Sequence, residues 1–183
     1  MKTLILGGSP RKHGDTAYLI KRLISGLDGK HRLVNAYDCD ISACVDCRYC
    51  RENPGCAIDD EMQQVYGYIQ SCDNIVIASP LHFSELSGRL LCVGSRLQTY
   101  FCARFFRGET PVPKPKRGGI ILAGGNGKPE KAAETARILL HDMNCYDIHK
   151  PVCSLSTDKI PASEDTEVLR RLDSLTAFLN EKR

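Results

Sequence analysis

What most constrains this chain is an alternation of two periodicities. Short, near-continuous apolar runs, cut off by Gly, Pro or Ser, take turns with segments whose apolar residues recur at helical spacing. Lys2–Leu6 reads as a buried strand that Gly7-Gly8-Ser9-Pro10 ends abruptly. Thr16 opens a helical pattern with Leu19, Ile20, Leu23 and Ile24 on one face, stopped at Gly26. His31–Ala36 reads as a second strand, and Asn74–Ser79, β-branched and bounded by Pro80, as the clearest one. Gly119–Ala123 is a fourth, and a fifth falls within Asp147–Leu155. Between and after them lie helical faces at Met62, Val65 and Ile69; at Leu90, Gly94, Leu97 and Phe101; at Ala132, Ala136, Leu139 and Met143; and at Val168, Leu172, Leu175 and Leu179. Asp59 or Asp60 can cap the first of these, and Pro129 suits the first turn of the third. Strands that are apolar on both faces need cover on both, so the pattern predicts an α/β fold around a mostly parallel sheet.

Length and charge narrow the function classes. A chain of 183 residues, 42% hydrophobic and 26% charged, suits one domain with a sizeable core and excludes a disordered chain. A net charge of +3 is too small to argue for nucleic-acid or membrane partners. The opening residues carry no targeting pattern and no stretch approaches a membrane span, so the expected location is cytoplasmic. There disulfides rarely persist, and ten cysteines call for metal binding, catalysis or core packing. Arg107–Arg117, with three prolines and several cations, reads as an exposed connector.

Open parallel sheets bind ligands at the carboxyl ends of their strands. Gly8-Ser9-Pro10-Arg11-Lys12-His13-Gly14-Asp15-Thr16 joins the first strand to a helix N-terminus, where free N–H groups and the helix dipole favour an anion. Ser9 and Thr16 add hydroxyls, and Arg11 a fork suited to phosphate. The dinucleotide spacing G-x-G-x-x-G, the G-x-x-x-x-G-K-[ST] loop and the C-x5-R loop are all absent, which leaves a mononucleotide phosphate.

This loop resembles the phosphate loop of the flavodoxin-like, NADPH-dependent FMN reductase family. The resemblance continues through Ala78-Ser79-Pro80-Leu81-His82-Phe83 to Ser87-Gly88 and includes Ala123-Gly124-Gly125, reaching to about residue 145. It implies a flavodoxin-like three-layer sandwich with a five-stranded parallel sheet in the order 2-1-3-4-5. Residues 1–183 would form one FMN-binding domain with a cysteine-rich loop at 39–58. By the same resemblance Ser9, Arg11, Asp15, Thr16 and Ala17 hold the FMN phosphate. Pro80, Leu81, His82 and Phe83 line the isoalloxazine ring, and Gly124, Gly125 and Asn126 approach it from another strand. The chain departs from the family pattern at Asp15, where Asn is common, and at His82, where Tyr is usual. Leu91 and Ser95 replace a Lys and an Asp, whereas Arg96 matches.

Cys44-x2-Cys47-x2-Cys50-x5-Cys56 places four thiols within thirteen residues. Three readings are open: an iron–sulfur cluster, which a compact triplet with a close fourth thiol suits; a zinc ion, whose ligands more often come as two distant C-x2-C pairs; or free, redox-active thiols. Within the family the spacing resembles the iron–sulfur flavoproteins, which implies a [4Fe–4S] cluster on these four. Cys72, Cys92, Cys102 and Cys145 read as small packing residues, Cys39 as a spare thiol, and Cys153 has no assignment.

No nucleophile–base constellation stands out, so cofactor-borne chemistry is expected, with His82 the one side chain placed to donate a proton. The resemblance implies an oxidoreductase in which NAD(P)H reduces FMN and electrons pass to a small-molecule or protein acceptor, in a homodimer or homotetramer. Its rivals are a non-catalytic FMN electron carrier and a zinc-stabilised binding module.

Overall fold

The computed structural model describes residues 1–182. In chain order its elements are β1 (Lys2–Gly7), α1 (Asp15–Gly26), β2 (Lys30–Asn35), α2 (Tyr49–Glu52), α3 (Met62–Ser71), β3 (Asn74–Pro80), α4 (Gly88–Ser95), α5 (Gln98–Arg107), β4 (Lys116–Ala123), α6 (Glu130–Asp142), β5 (Cys145–Ile148), β6 (Val152–Ser154) and α7 (Thr166–Asn180). The strands form one parallel sheet in the order β2-β1-β3-β4-β5, with β6 also beside β4. The expected order 2-1-3-4-5 therefore holds, and two short strands share its fifth position. They are separated by His149-Lys150-Pro151, where the proline has no N–H to give a ladder.

Alternation within the buried strands sends side chains to two cores. Leu4, Leu6, Ile75, Ile77, Ile120 and Leu122 face one side, under α3, α4, α5 and α6. Ile5, Val76, Ala78, Ile121 and Ala123 face the other, under α1 and α7. This is a three-layer sandwich. β2 lies to one side of β1 and β3 to the other, so a crevice opens at the carboxyl ends of β1 and β3.

Two expectations are corrected. The helical face Leu90–Phe101 belongs to two helices, since the backbone tightens to three-residue bonds at Arg96→Val93 (3.1 Å) and Leu97→Gly94 (3.0 Å). The turn rotates α5 so that Phe101 faces solvent. The connector 107–117 is also shorter and less exposed than its composition implies. Arg107 ends α5, while Lys116 and Arg117 begin β4. Lys116 is buried, its Nζ donating to the Lys114 carbonyl at 2.8 Å. Arg117 donates to the carbonyls of Phe178 (3.0 Å) and Glu181 (2.6 Å) and stacks on Phe178. No helix among the described residues is long and apolar enough to cross a membrane.

Candidate functional site

Three loops meet over the crevice around a cavity of about 230 Å3, lined by Ser9, Pro10, Arg11, Asp15, Thr16, Pro80, Leu81, His82, Ala123, Gly124, Gly125, Thr157 and Asp158. Each of the three segments singled out from the sequence thus contributes. Ala17, Phe83 and Asn126 do not line it: Ala17 borders a neighbouring groove with Arg11, Lys12 and His13, and Phe83 and Asn126 are exposed. Pro10, Ala123, Thr157 and Asp158 are additions. Thr157 and Asp158 follow β6, and the strand-end rule reaches them once that short strand is recognised. Their position is set by hydrogen bonds from Gly124 N–H to the Ser154 carbonyl (2.8 Å) and from Thr157 N–H to the Gly124 carbonyl (3.2 Å).

The loop after β1 has the features of an anion cradle. Gly14 caps α1 without any side-chain bond, so the first-turn N–H groups remain available as donors. Ser9 and Thr16 are buried, and the Ser9 hydroxyl accepts from Arg11 N–H at 3.3 Å. The Arg11 side chain folds over Gly14, its Nε 3.2 Å from where a Cβ would stand, which brings a guanidinium to the helix N-terminus. Asp15 does not cap the helix. Its carboxylate turns away and accepts from Ala162 N–H at 2.8 Å, tying the segment after β6 to α1. Gly8 lets β1 approach α4, since a Cβ there would stand 2.6 Å from Ser87 Oγ and 2.9 Å from Leu90 Cδ2.

The loop after β3 is held from both ends. Ser79 Oγ accepts from Ser87 N–H (2.9 Å) and donates to the Pro80 carbonyl (2.8 Å). His82 and Glu85 exchange backbone bonds at 2.9 and 3.0 Å across Phe83-Ser84, both at positive φ (53° and 61°). That is a tight turn normally taken by Asn and Gly, here carrying a bulky residue in a costly conformation. Phe83 projects wholly into solvent. On the far wall, Asp158 Oδ2 lies so close that a Cβ on Gly125 would stand 1.7 Å from it. An uncapped helix start, a buried hydroxyl, a guanidinium and glycine-lined backbone opposite Pro80–His82 are the donor set and the close approach that FMN requires.

The four loop cysteines also come together. Cys44, Cys47, Cys50 and Cys56 border one apolar-sided space with Arg96, Gln98, Thr99 and a further thiol, Cys102. The space is about 20 Å3, smaller than a cubane. Among the described residues no three His, Cys, Asp or Glu side chains are grouped around a single ion position. The loop hangs on Arg96, which matches the family pattern in sequence and is buried. Its guanidinium donates to Asp60 Oδ2 (2.6 Å) and to the carbonyls of Ser42 (2.9 Å) and Ile58 (3.2 Å). Burial pushes the Asp60 carboxyl up, but bonds from Arg96, Ser42 N–H and Met62 N–H outweigh it and hold it below the ordinary carboxylate value. Thr99 Oγ1 donates to the Gly55 carbonyl at 2.8 Å, Arg107 to the Cys50 carbonyl, and Ser95 Oγ accepts from Cys44 N–H at 3.0 Å. Four thiols on a short loop, with one buried cation beside them, have the donor chemistry of an iron–sulfur cluster, but the space between them as it stands does not hold one.

Known proteins agree with this geometry. The family model for NADPH-dependent FMN reductases matches residues 1–159. An iron–sulfur flavoprotein of Methanocaldococcus jannaschii is 27% identical over 150 residues, 78% of this chain and 74% of that protein. An iron–sulfur flavoprotein of Archaeoglobus fulgidus is 26% identical over 137 residues, 73% of this chain but only 59% of that longer relative. An FMN-dependent NADH-azoreductase from Bacillus anthracis, solved with FMN, shares the fold at a TM-score of 0.73 and 15% identity, with 99% of this chain and 100% of that one covered. This chain belongs to the NADPH-dependent FMN reductase family.

Proposed function

We propose that residues 1–183 form one FMN-binding domain that takes hydride from NAD(P)H and passes electrons to a small-molecule or protein acceptor. The observation that carries this reading is the meeting of three strand-end loops on one cavity with an uncapped helix N-terminus at its floor. Bound FMN supplies hydride acceptance at N5 and release of electrons in ones or twos. The chain's own part is to hold and orient. Ser9, Arg11, Thr16 and the first-turn N–H groups through Ala17 bind the phosphate. Pro80, Leu81 and His82 flank the ring on one side and Gly124 and Gly125 on the other, with Phe83 and Asn126 exposed at its outer edge. His82, exposed at the mouth, is the residue placed to exchange a proton with solvent.

Cys44, Cys47, Cys50 and Cys56 are read as ligands of a [4Fe–4S] cluster that takes electrons one at a time. The support is their common pocket, the buried Arg96 beside it and the names of the two archaeal relatives. A cytoplasmic setting accords with ten free cysteines. A homodimer or homotetramer accords with three exposed phenylalanines clustered on α5, Phe101, Phe105 and Phe106.

The test is anaerobic purification followed by absorption spectroscopy and rapid mixing with NADPH or NADH. Flavin bands with a broad bleachable shoulder, and loss of the flavin band on mixing, are expected. Flavin that no pyridine nucleotide bleaches points to a carrier instead. Stoichiometric zinc without flavin refutes the proposal.

A further inference from the structure

Among the described residues, the ionisable side chains that line the flavin cavity are Arg11, Asp15, His82 and Asp158. The first three have a part in the reading of that site, and Asp158 has none. The Arg11 guanidinium lies over Gly14 at the start of α1, where it serves the phosphate. The Asp15 carboxylate is turned aside and accepts from Ala162 N–H at 2.8 Å. Asp158 is the charge left over: among the described residues, none donates to its carboxylate or pairs with it. Its seat is nonetheless fixed. Thr157 N–H donates to the Gly124 carbonyl at 3.2 Å, and the N–H groups of Lys159 and Ile160 both donate to the Ser156 carbonyl at 2.9 Å, closing the turn that carries Asp158. The carboxylate is pressed on Gly125, with both oxygens within 2.6 Å of the point where a Cβ would stand. The side chain that Gly125 lacks therefore makes room for a fixed negative charge on the wall of the cavity.

We propose that Asp158 tunes the bound flavin, holding its reduction potential low. This rests on the placement of the ring between Pro80–His82 and Gly124–Gly125. Hydride from NAD(P)H brings the ring two electrons and one proton and releases NAD(P)+, so the ring gains one negative charge. The oxidised ring is neutral. A carboxylate packed on the same glycine wall repels the charge that reduction adds, and does so more strongly as the ring displaces water from the cavity. Asp158 thereby favours the oxidised over the reduced form. The electrons leave at a lower potential than the rest of the site would set, which suits an acceptor that is itself hard to reduce. Arg11 does not cancel this effect, because its guanidinium is taken up by the phosphate.

The test is the two-electron midpoint potential of the FMN-loaded full chain, read at the flavin band during anaerobic titration with dithionite against redox dyes. The dissociation constant of oxidised FMN, from quenching of flavin fluorescence, is measured beside it. Asp158→Asn keeps the shape of the side chain and removes its charge. It is expected to move the balance about tenfold toward the reduced flavin, a rise of about 30 mV, while the dissociation constant of oxidised FMN moves by less. Asp158→Ser, which is smaller, shifts the potential in the same direction, and Asp158→Glu, which keeps the charge, stays nearer wild type. Asp28→Asn, which removes an equal charge beyond the far end of α1, leaves the potential where it was. An unchanged or lower potential in Asp158→Asn overturns the inference, as does an equal rise in Asp28→Asn. A wild-type chain that binds no FMN overturns the reading of the site and the inference with it, a result distinct from FMN held at a potential indifferent to residue 158.

Discussion

The Arg96–Asp60 pair is the joint between the cysteine loop and the core, and Asp60→Asn tests it. The side chains are 0% and 8% exposed, so neither charge is hydrated. Asn keeps one acceptor oxygen but removes the charge and turns an N–H2 toward the donors Arg96, Ser42 N–H and Met62 N–H that now converge on two oxygens. Stranding a buried charge in this way costs about 3–5 kcal/mol. In a chain of this size each kcal/mol moves the melting temperature by about 2–4 °C, so a fall of about 6–20 °C is expected. The assay is thermal melting by far-ultraviolet circular dichroism, with flavin and metal occupancy matched, since a bound ligand shifts the midpoint. The sign with pH is fixed as well. The folded Asp60 pKa is depressed, so its stabilisation is complete above the unfolded carboxyl value of about 3.9 and disappears as pH falls through the folded value. The gap between wild type and variant should stay constant near neutrality and close in acid. Asp60→Leu with Arg96→Met should recover most of the loss, because an apolar pair leaves no charge stranded. A variant that melts within about 2 °C of wild type at pH 7, or a gap that does not narrow in acid, would refute the reasoning.

At the flavin site, Arg11→Ala removes a charge-assisted bond worth about 1.5–3 kcal/mol and should raise the FMN dissociation constant about 10- to 100-fold, measured by quenching of flavin fluorescence. Asp15→Asn keeps an acceptor for Ala162 N–H and removes a negative charge from the phosphate loop, so the same titration should show tighter FMN binding; unchanged or weaker binding counts against that placement of the phosphate. Gly8→Ala forces a methyl group against Ser87 and Leu90 and should cost about 1–3 kcal/mol in urea denaturation. Phe83→Asn relieves a left-handed bulky residue without losing buried contacts, and should raise stability by up to about 1 kcal/mol in the same assay.

What could be read from the sequence depended on whether the signal was local. β1, β3 and β4 are continuous apolar runs because both of their faces are covered, and that requirement is written in each run itself. The phosphate loop is equally local, a strand end followed by a helix start. The break between α4 and α5 is not: Leu90, Gly94, Leu97 and Phe101 keep helical spacing straight through it, and only Arg96, drawn inward by Asp60 from a distant segment, shows why the helix turns. Lys116, read as part of an exposed connector, illustrates the same limit. A cation reads as solvated until its carbonyl partner is known. Cys102 reads as a packing residue because its distance in sequence from Cys44–Cys56 hides the space it borders with them. Asp158 escaped notice since its place over Gly125 arises only when β6 joins β4.

The two borders of the sheet bear on how copies of this chain can meet. β2 presents Lys30, His31 and Arg32 along one margin, all exposed, and the opposite margin is cut at Pro151 into strands of four and three residues. Neither margin offers a long, flat, uncharged template onto which a foreign strand could dock and propagate. Crowded chains are thereby steered away from fibrous stacking and toward association through helix surfaces, which can close into finite assemblies. Straightening the stretch from His149 to Pro151 would remove that protection, and aggregation would be the first trait to change.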